Sequence, residues 1–335
     1  MRLGVVDVGS NTVRLVVADG DGAAPLPVHT AKRRLRLAEQ VDAGGRLGDA
    51  AVEQVVDAVA AAVAEARRWG CGEPFAFATA IVRDAPNRDE VLETVRSATG
   101  TELHVMSGQK EAELTFLAVR RWMGWQAGPM VLLDIGGGSL EVAVGRSRMP
   151  DFAASLPLGA GRLTREYLDG DGVTDPDAVR ELRRRVRHDL RDVATRVRWE
   201  APRTAAATSR TFQQLARLCG AAPGREGPFV ERRLVRADLR HAMAELAALP
   251  PADRARLPGI SPPRAGQSLA GAVVAHTAMK LMGIDAVTVS PWALREGVLL
   301  RQLEEPSASP VGDAGSGGER PAAAAPLRLT AARGG

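Results

Sequence analysis

Two aspartates, Asp7 and Asp134, each end an apolar run and precede a glycine-containing turn and a second apolar run. Aligning them also aligns Gly9 with Gly136. This pattern predicts two β-hairpins whose tips carry a carboxylate beside backbone N–H groups. Glycine lets the backbone approach a ligand closely, and successive N–H groups in such turns form an anion site. Because a carboxylate repels phosphate, a divalent cation or a water must lie between the two.

The repetition distinguishes these tips from ordinary turns. One copy alone indicates only Asp-Gly turn chemistry, whereas two copies in separate halves of the chain favour two half-sites that close on one phosphorylated ligand. Asp7 and Asp134 are the predicted ligands of a divalent cation, held directly or through water. The predicted phosphate contacts from the tips are Gly9, Ser10, Asn11, Gly136, Gly137, Gly138 and Ser139.

The two tips, DVGSNT at 7–12 and DIGGGSLE at 134–141, resemble the phosphate loops of the actin/sugar-kinase/heat-shock ATPase superfamily. More narrowly, they resemble the exopolyphosphatase/guanosine pentaphosphate phosphohydrolase family. The same resemblance extends to ATAIVRDAPN (78–87), SGQKEAELTFLAVRRW (107–122), SLPLGAGRLTREYL (155–168), ATSRTFQQLARL (207–218) and PWALREGVLL (291–300). It runs from residue 1 to about 301, as in the shorter actinobacterial-type members, which lack an added C-terminal hydrolase domain.

This resemblance implies an α/β fold with two actin-like (ribonuclease H-like) domains. Each would hold a mixed β-sheet flanked by helices, with the active site in the cleft between them. The implied activity is hydrolysis of terminal phosphate from inorganic polyphosphate, short chains in particular, and of the 5′ phosphate of guanosine pentaphosphate in some relatives. The implied cofactor is Mg²⁺ or Mn²⁺, with stimulation by K⁺. A homodimer without a specific nucleic-acid partner is also implied.

Phosphoanhydride hydrolysis needs the phosphate held, its charge offset and a water aligned for in-line attack. Glu111 and Glu141 are the candidate bases, and the resemblance places the catalytic glutamate at Glu111. A glutamate at a helix start, taken alone, indicates only compensation of the helix dipole. Arg83 is predicted to aim its guanidinium into the cleft, with an ion pair to Asp84 or Asp89 as the alternative.

Thr208 and Ser209 follow a predicted strand and precede a predicted helix. Their hydroxyls and N–H groups are placed to face an anion at the helix N-terminus. The same residues would serve equally well as simple helix caps.

The chain departs from its relatives close to these candidates. Glu113 replaces a common arginine two residues after Glu111, and Ala80 replaces a common serine before Arg83. We expect these changes to alter the pKa of Glu111 or the binding of the metal.

The elements around these residues alternate strand and helix, which is typical of an α/β fold. The expected elements after the first hairpin are a cation-rich strand or loop at 31–41, a helix from Asp49, a strand at 74–82, a helix capped by Asn87, a strand at 103–106 and a helix at 109–122. A domain boundary at 124–129 gives predicted domains of 1–127 and 128–303.

The second domain contains a long helix from Pro176 to about Trp199, followed later by a terminal helix at 293–303. The basic face of the long helix, Arg183 to Arg198, indicates either a solvated surface or an attractive surface for an anionic polymer. From Glu304 to residue 335, Ser, Pro, Gly and Ala dominate, and this tail is predicted to be disordered.

Composition limits the class of protein. The net charge of +4 comes almost entirely from arginine, whose planar fork suits phosphate oxygens. Two cysteines argue against a disulfide framework. No signal-peptide pattern and no apolar run long enough for a membrane span are found, so a cytoplasmic protein without a membrane partner is predicted.

Two other functions stay open. An actin-fold kinase for a sugar or carboxylate should have a Gly-rich adenosine-binding segment in its second domain, and the nearest candidate, Leu269–Lys280, indicates a packed helix instead. A catalytically weak protein that binds polyphosphate or guanosine alarmones is the other alternative, and the change at Glu113 motivates it.

Overall fold

The computed structural model describes residues 2–20, 25–42 and 44–304. Within them the chain forms two mixed β-sheets flanked by helices, which confirms the predicted fold class. Nearly all of the predicted tail, from residue 305 on, lies outside the described residues.

The first sheet has five strands in the order β3-β2-β1-β4-β5, where β1, β4 and β5 run parallel and β1, β2 and β3 run antiparallel. Its strands are β1 (Arg2–Val8), β2 (Thr12–Asp19), β3 (Pro27–Arg34), β4 (Phe75–Ala78) and β5 (Leu103–Val105). The helices of this half are α1 (Asp49–Arg68), α2 (Ala80–Arg83), α3 (Arg88–Thr99) and α4 (Gly108–Met123). Valines at helical spacing in α1, such as Val55 and Val59, are fully buried against this sheet.

The second sheet has six strands in the order β10-β11-β9-β6-β7-β8. Its strands are β6 (Met130–Ile135), β7 (Leu140–Gly145), β8 (Phe152–Leu156), β9 (Thr204–Thr208), β10 (Arg233–Val235) and β11 (Ala286–Val289). Its helices are α5 (Ala160–Tyr167), α6 (Pro176–Glu200), α7 (Ser209–Leu218), α8 (Arg236–Ala248), α9 (Pro251–Arg254), α10 (Ser268–Met282) and α11 (Leu294–Glu304).

Both predicted hairpins form, at equivalent places in the two sheets. β1 pairs antiparallel with β2 and parallel with β4, just as β6 pairs antiparallel with β7 and parallel with β9. Asp7 and Asp134 therefore lie at the carboxyl ends of matching strands. Ligand sites of α/β sheets form at such ends, because the loops there converge.

Two helices join the halves. α4 packs against β7 and β8 of the second sheet and against α11, which in turn packs on β1 of the first sheet. The crossing of α4 and α11 is close, because a Cβ on Gly297 would lie 2.0 Å from the carbonyl oxygen of Leu114. The boundary between 127 and 128 stays a prediction, although each predicted domain contains one whole sheet.

One local prediction is wrong, and another holds only in part. The strand predicted at 74–82 ends at Ala78, and α2 follows, because the backbone N–H groups of Val82 and Arg83 turn back to the carbonyl oxygen of Thr79. The helix α3 begins directly after Asn87, which occupies the N-cap position as predicted, but the Asn87 side chain makes no capping hydrogen bond. Its amide instead accepts from the N–H of Leu47 at 3.1 Å and donates to the Leu47 carbonyl at 2.9 Å.

The long basic helix α6 forms as predicted, with Pro176 in its first turn. Several of its arginines pair with acids on the same helix, among them Arg185 with Asp189 and Arg196 with Glu200, each at 2.6 Å. This pairing favours the solvated surface over the polyanion surface. None of the helices in the described part of the chain combines the length and apolar character needed to cross a membrane.

Candidate active site

A cavity of about 270 Å³ lies between the two sheets, with both hairpin tips in its walls. Every residue predicted for the site lines it except Arg83. These are Asp7, Gly9, Ser10, Asn11, Glu111, Asp134, Gly136, Gly137, Gly138, Ser139, Glu141, Thr208 and Ser209. The tips also approach each other closely, because a Cβ on Gly137 would lie 3.1 Å from the Ser10 side chain. The structure therefore brings the two predicted half-sites together across one cleft.

The second tip is oriented by the start of α5. The carbonyl oxygens of Gly136 and Gly137 accept from the N–H groups of Ala160 and Arg162 at 3.0 and 2.9 Å. The Gly138 carbonyl accepts from Nε of Arg162 at 3.1 Å. In a trans peptide the N–H points opposite to the C=O. Three successive carbonyls turned towards α5 therefore leave the following N–H groups facing the cavity, as an anion site requires.

The first tip is oriented in the same way by the segment after β3. The Asn11 carbonyl oxygen accepts from the N–H groups of Leu35 and Arg36, and the Ser10 carbonyl accepts from that of Ala38. The N–H groups that follow these two carbonyls consequently point away from this segment. The start of α5 thus orients the second tip and the segment after β3 orients the first, and in both tips the carbonyl oxygens are turned towards this support.

Gly159 makes the support of the second tip possible. A Cβ at this position would lie 2.3 Å from the backbone carbon of Gly138 and from the nitrogen of Ser139. We expect Gly159→Ala to destabilise the fold by about 1–3 kcal/mol through overpacking. Displacement of the tip should also lower any activity of this site by about tenfold or more.

Thermal unfolding and initial rates would measure these two effects. Gly172→Ala is the matched control, since nothing lies within 4 Å of the Cβ that it would add. Equal behaviour of the two variants would show that close packing of the tip does not matter.

Asp134 and Glu141 face each other directly across the β6–β7 ladder. Burial and the charge of Glu141 raise the pKa of Asp134 to about 8, although Arg295 opposes the shift. Burial also raises the pKa of Glu141, against hydrogen bonds from Ser139 and Ser155. The nearby arginines therefore do not supply enough positive charge to keep the pKa values of these two carboxyl groups in their ordinary range.

Glu111 lies in the first turn of α4 and is only 7% exposed. Its burial and the nearby Glu141 raise the pKa of Glu111 well above its ordinary value. Arg83 opposes this shift, because its Nη1 donates to Oε1 of Glu111 at 2.5 Å. A buried carboxylate with a raised pKa next to a ligand cavity suits a general base.

Arg83 stands behind Glu111 rather than in the cavity wall. Its Nε also donates to Asp84 at 3.1 Å, so the ion pair foreseen as its alternative role is present. Asp84 continues the contact to Arg162 of the second half at 2.6 Å. This geometry suits a positioning role of Arg83 towards Glu111 rather than direct contact with a ligand.

Arg295, at the start of α11, donates to Oδ2 of Asp7 at 2.8 Å. Burial lowers the pKa of Arg295, but Glu296 and Asp7 outweigh it and hold that pKa above its usual value. Sequence reasoning assigned no role to this arginine, although it belongs to one of the segments that carry the family resemblance. Its contact with Asp7 reveals this role, and Asp7 lies at the other end of the chain.

Three further cations, Arg14, Arg210 and Arg264, line the cavity and were not predicted. Burial and the charges of Arg210 and Arg14 lower the pKa of Arg264 to about 10. Cations that crowd one another in this way are suited to an anionic ligand. Arg14 could have been found from strand alternation, because it lies two residues after Thr12 and so on the same face of β2.

Thr208 and Ser209 border the cavity differently. The Thr208 hydroxyl is fully buried and faces the carbonyl oxygens of Ser290 and Trp292 at 3.3 and 2.9 Å. Ser209 adopts φ 96°, a conformation that side-chain-bearing residues rarely hold. Its hydroxyl accepts from the N–H of Phe212 at 3.3 Å, as a capping residue does. The Thr208 hydroxyl therefore ties the start of α7 to the segment that leads into α11. It is not available to bind an anion in the cavity.

The donor set fits a magnesium-like ion. Asp7, Asp134, Glu111 and Glu141 offer carboxylate oxygens, which such cations prefer. Within residues 2–20, 25–42 and 44–304, no three acidic, His or Cys side chains are arranged to hold an ion by themselves. Mg²⁺ commonly uses only one or two carboxylates together with waters and substrate phosphates. A cation would also relieve the repulsion that raises the pKa of Asp134.

Comparison with known proteins adds to this geometry. A family model described as the Ppx/GppA phosphatase family matches residues 15–305. Exopolyphosphatase 1 of Mycobacterium tuberculosis is 47% identical over 306 residues, which cover 91% of this chain and 89% of that protein. An uncharacterized protein of Streptomyces coelicolor is 66% identical over 306 residues and 91% of each chain.

The fold also matches a solved structure. The crystal structure of an exopolyphosphatase from Cytophaga hutchinsonii superposes with a TM-score of 0.82 at 22% sequence identity. The match covers 91% of this chain and 98% of that chain. At this identity the likeness shows the two-domain fold and nothing finer.

Proposed function

The chain belongs to the Ppx/GppA phosphatase family, and we propose that it is an exopolyphosphatase hydrolysing the terminal phosphoanhydride bond of inorganic polyphosphate. The observation that carries this proposal is the pair of hairpin tips that face each other across one cavity, with buried Glu111 and Glu141 beside them. Such a cavity can hold a terminal phosphate from two sides and place a base next to it.

In the proposed reaction the N–H groups of both tips bind the oxygens of the terminal phosphate. Arg14, Arg210 and Arg264 offset the negative charge of the chain, and Glu111 orients a water and accepts its proton as the water attacks the phosphorus in line. A divalent cation held by Asp7 and Asp134, Mg²⁺ or Mn²⁺, would neutralise charge on the transferring phosphoryl group. The leaving group is the shortened polyphosphate chain.

Hydrolysis of the 5′ phosphate of guanosine pentaphosphate is the second candidate for this site. The family's description names GppA beside Ppx, and the same tips would hold either terminal phosphate. A preference for short polyphosphate chains stays a prediction. The test is the orthophosphate released from triphosphate, tetraphosphate, long polyphosphate, guanosine pentaphosphate and ATP in Mg²⁺. Release from none of them would contradict the proposal.

The other two alternatives gain no support. The segment from 269 to 280 lies inside α10, most of whose side chains are buried against α6 and α8, so it offers no open adenosine-binding loop. Glu113 accepts from Nε2 of Gln109 at 3.1 Å and pairs with Lys110 at 3.5 Å. The charge of Glu113 is thus compensated by residues of α4 itself. Glu111 keeps its contact with Arg83.

The proposed metal role predicts an effect on stability as well as on activity. Because deprotonating Asp134 beside Glu141 is unfavourable in the folded state, Asp134→Asn should raise the free energy of unfolding by about 1 kcal/mol at neutral pH without metal. Adding Mg²⁺ should raise the Tm of the native protein but have little effect on that of Asp134→Asn.

The folded-state pKa of Asp134 is raised from 3.8 to about 8, so the contribution of this residue to stability without metal should be largest below pH 3.8 and should fall as pH rises from there to about 8. Thermal unfolding with EDTA and with Mg²⁺ measures both effects. Asp151→Asn is the control, since Asp151 lies at the opposite end of the second sheet. An equal Mg²⁺ response in native protein and Asp134→Asn would exclude Asp134 as a ligand.

We further propose a homodimer in the cytoplasm, stimulated by K⁺. The family resemblance supports these three statements. Sedimentation equilibrium would test the dimer, and rates in KCl and NaCl of equal ionic strength would test the effect of K⁺.

A further inference from the structure

A second cavity, of about 280 Å³, adjoins the first over one face of β2 and β3. The two cavities share Asn11, Thr12, Arg14, Arg210 and Arg264 in their walls. The second is extended by three cations that do not touch the first: Lys32, Arg34 and Arg36, here called the β3 cation row. The proposed reaction at the terminal phosphate does not use this row.

The strand register explains how the row continues the active site. Lys32 lies directly opposite Arg14 in the β2–β3 ladder, and Arg34 lies opposite Thr12. Side chains of directly opposite residues project from the same face of a sheet. The row therefore extends the face of the first hairpin that lines the catalytic cavity, with about 6.8 Å between alternate residues along the strand.

Positive charge in this cavity is poorly compensated. Among the described residues that line it, six are cations and none is acidic. Burial and the charges of Arg14 and Arg34 lower the pKa of Lys32. Like charges directly opposite each other in a ladder destabilise a sheet. The acidic residues nearest to these cations lie outside the cavity wall: Arg36 is 3.6 Å from the exposed Glu39, and Arg14 lies opposite Asp7 in the β1–β2 ladder.

The backbone holds Arg36 in an unfavourable conformation at the end of this row. Its φ of 54° and ψ of 43° are left-handed, which is costly for a residue with a Cβ. Its N–H donates to the carbonyl oxygen of Asn11 at 3.2 Å, so it is tied to the first phosphate tip. Strained residues of this kind cluster at ligand sites.

We propose that the β3 cation row is a distal subsite that binds phosphate units of the polyphosphate chain behind its reacting end. The proposal rests on the proposed function and names the part of the substrate that this second cavity takes. A chain of condensed phosphates is the ligand that matches a line of uncompensated cations leading out of a phosphate cavity. The arginines of α6, by contrast, include several already paired with acids on their own helix.

The test is the double variant Lys32→Ala/Arg34→Ala. KM for long polyphosphate should rise by about tenfold for each cation removed, because each charge-assisted contact contributes roughly that much affinity. Because triphosphate is too short to contact the row, its kcat/KM should fall far less than that for long polyphosphate, through the longer-range effect of the two charges alone. The rise in KM for long chains with added salt should also become shallower.

Arg33→Ala is the matched control on the same strand. Arg33 lies opposite Val13, on the other face of the sheet, and pairs with Asp57 at 3.7 Å. This variant should keep the native KM for both substrates. A rise in KM for long polyphosphate as large as that of the double variant would overturn the proposal, because any cation on β3 would then suffice.

Binding without turnover separates this proposal from the proposed function. In EDTA, long polyphosphate should raise the Tm of the native protein and of Arg33→Ala, and should raise that of the double variant much less. This result is expected even if the protein hydrolyses none of the substrates. Equal losses for triphosphate and long polyphosphate would overturn the proposal, as would unchanged KM and Tm shifts. A loss confined to guanosine pentaphosphate would also overturn it and assign the cavity to the second phosphate group of that nucleotide.

Discussion

Glu111→Gln should lower kcat for polyphosphate hydrolysis by about 10²- to 10⁴-fold, the range expected when a general base is removed. The amide keeps the size of the side chain and a polar contact to Arg83, but it cannot accept the proton of the attacking water. Substrate binding should be retained, because the phosphate contacts come from the two tips and the cavity arginines. The rate under saturating substrate and the affinity in EDTA measure the two quantities.

Glu113→Gln is the control for this variant. It lies on the same helix, two residues on, and pairs with Lys110 rather than with any group of the cavity. Its rate should stay within about twofold of native, which would also show that the departure from the family pattern at this position is tolerated. A near-native rate for Glu111→Gln would transfer the role of base to Glu141, whose own glutamine variant would then be the one that fails.

Arg83→Ala should lower kcat/KM by at least about 10²-fold at neutral pH, and a higher pH should restore part of the loss. Arg83 lowers the pKa of Glu111, so its removal raises that pKa and leaves more of the base protonated. The acidic limb of the pH–rate profile should consequently move to higher pH. Arg83→Lys should recover only part of the activity, because an ammonium keeps the charge but lacks the fork that contacts Glu111 and Asp84 together.

Arg88→Ala is the comparison for this variant, since Arg88 forms an exposed pair with Asp89 at 3.0 Å. It should leave the pH–rate profile unchanged. If Arg83→Ala lost activity equally at every pH, its loss would be a folding or binding defect and the positioning role would be wrong.

The sequence was sufficient for the parts of the site that depend on local structure. An apolar run, a turn with glycine and a second apolar run specify a hairpin by themselves, so both tips could be predicted and aligned from Asp7 and Asp134. The position of Glu111 at a helix start could also be predicted from local sequence, since Ser107 caps α4 by accepting from the N–H of Lys110.

The contacts that require the assembled fold were not readable in this way. Arg295 meets Asp7 only because α11 returns to β1 after the whole second sheet has formed. Arg264 reaches the cavity from a single 3₁₀ turn, Pro262–Arg264, which is too short for its periodicity to predict a face. Arg83 was placed at the end of a strand, because Ile81 and Val82 favour strands, whereas the tertiary turn at Thr79 makes this segment helical.

The most direct test of the central claim is hydrolysis of long polyphosphate in water enriched with ¹⁸O, followed by mass analysis of the products. Attack by water on the terminal phosphorus puts one ¹⁸O into each orthophosphate released and leaves the shortened chain unlabelled. We expect this result for the native protein and the loss of labelled orthophosphate for Glu111→Gln. Label in the shortened chain, or release of pyrophosphate or longer fragments in place of orthophosphate, would contradict it.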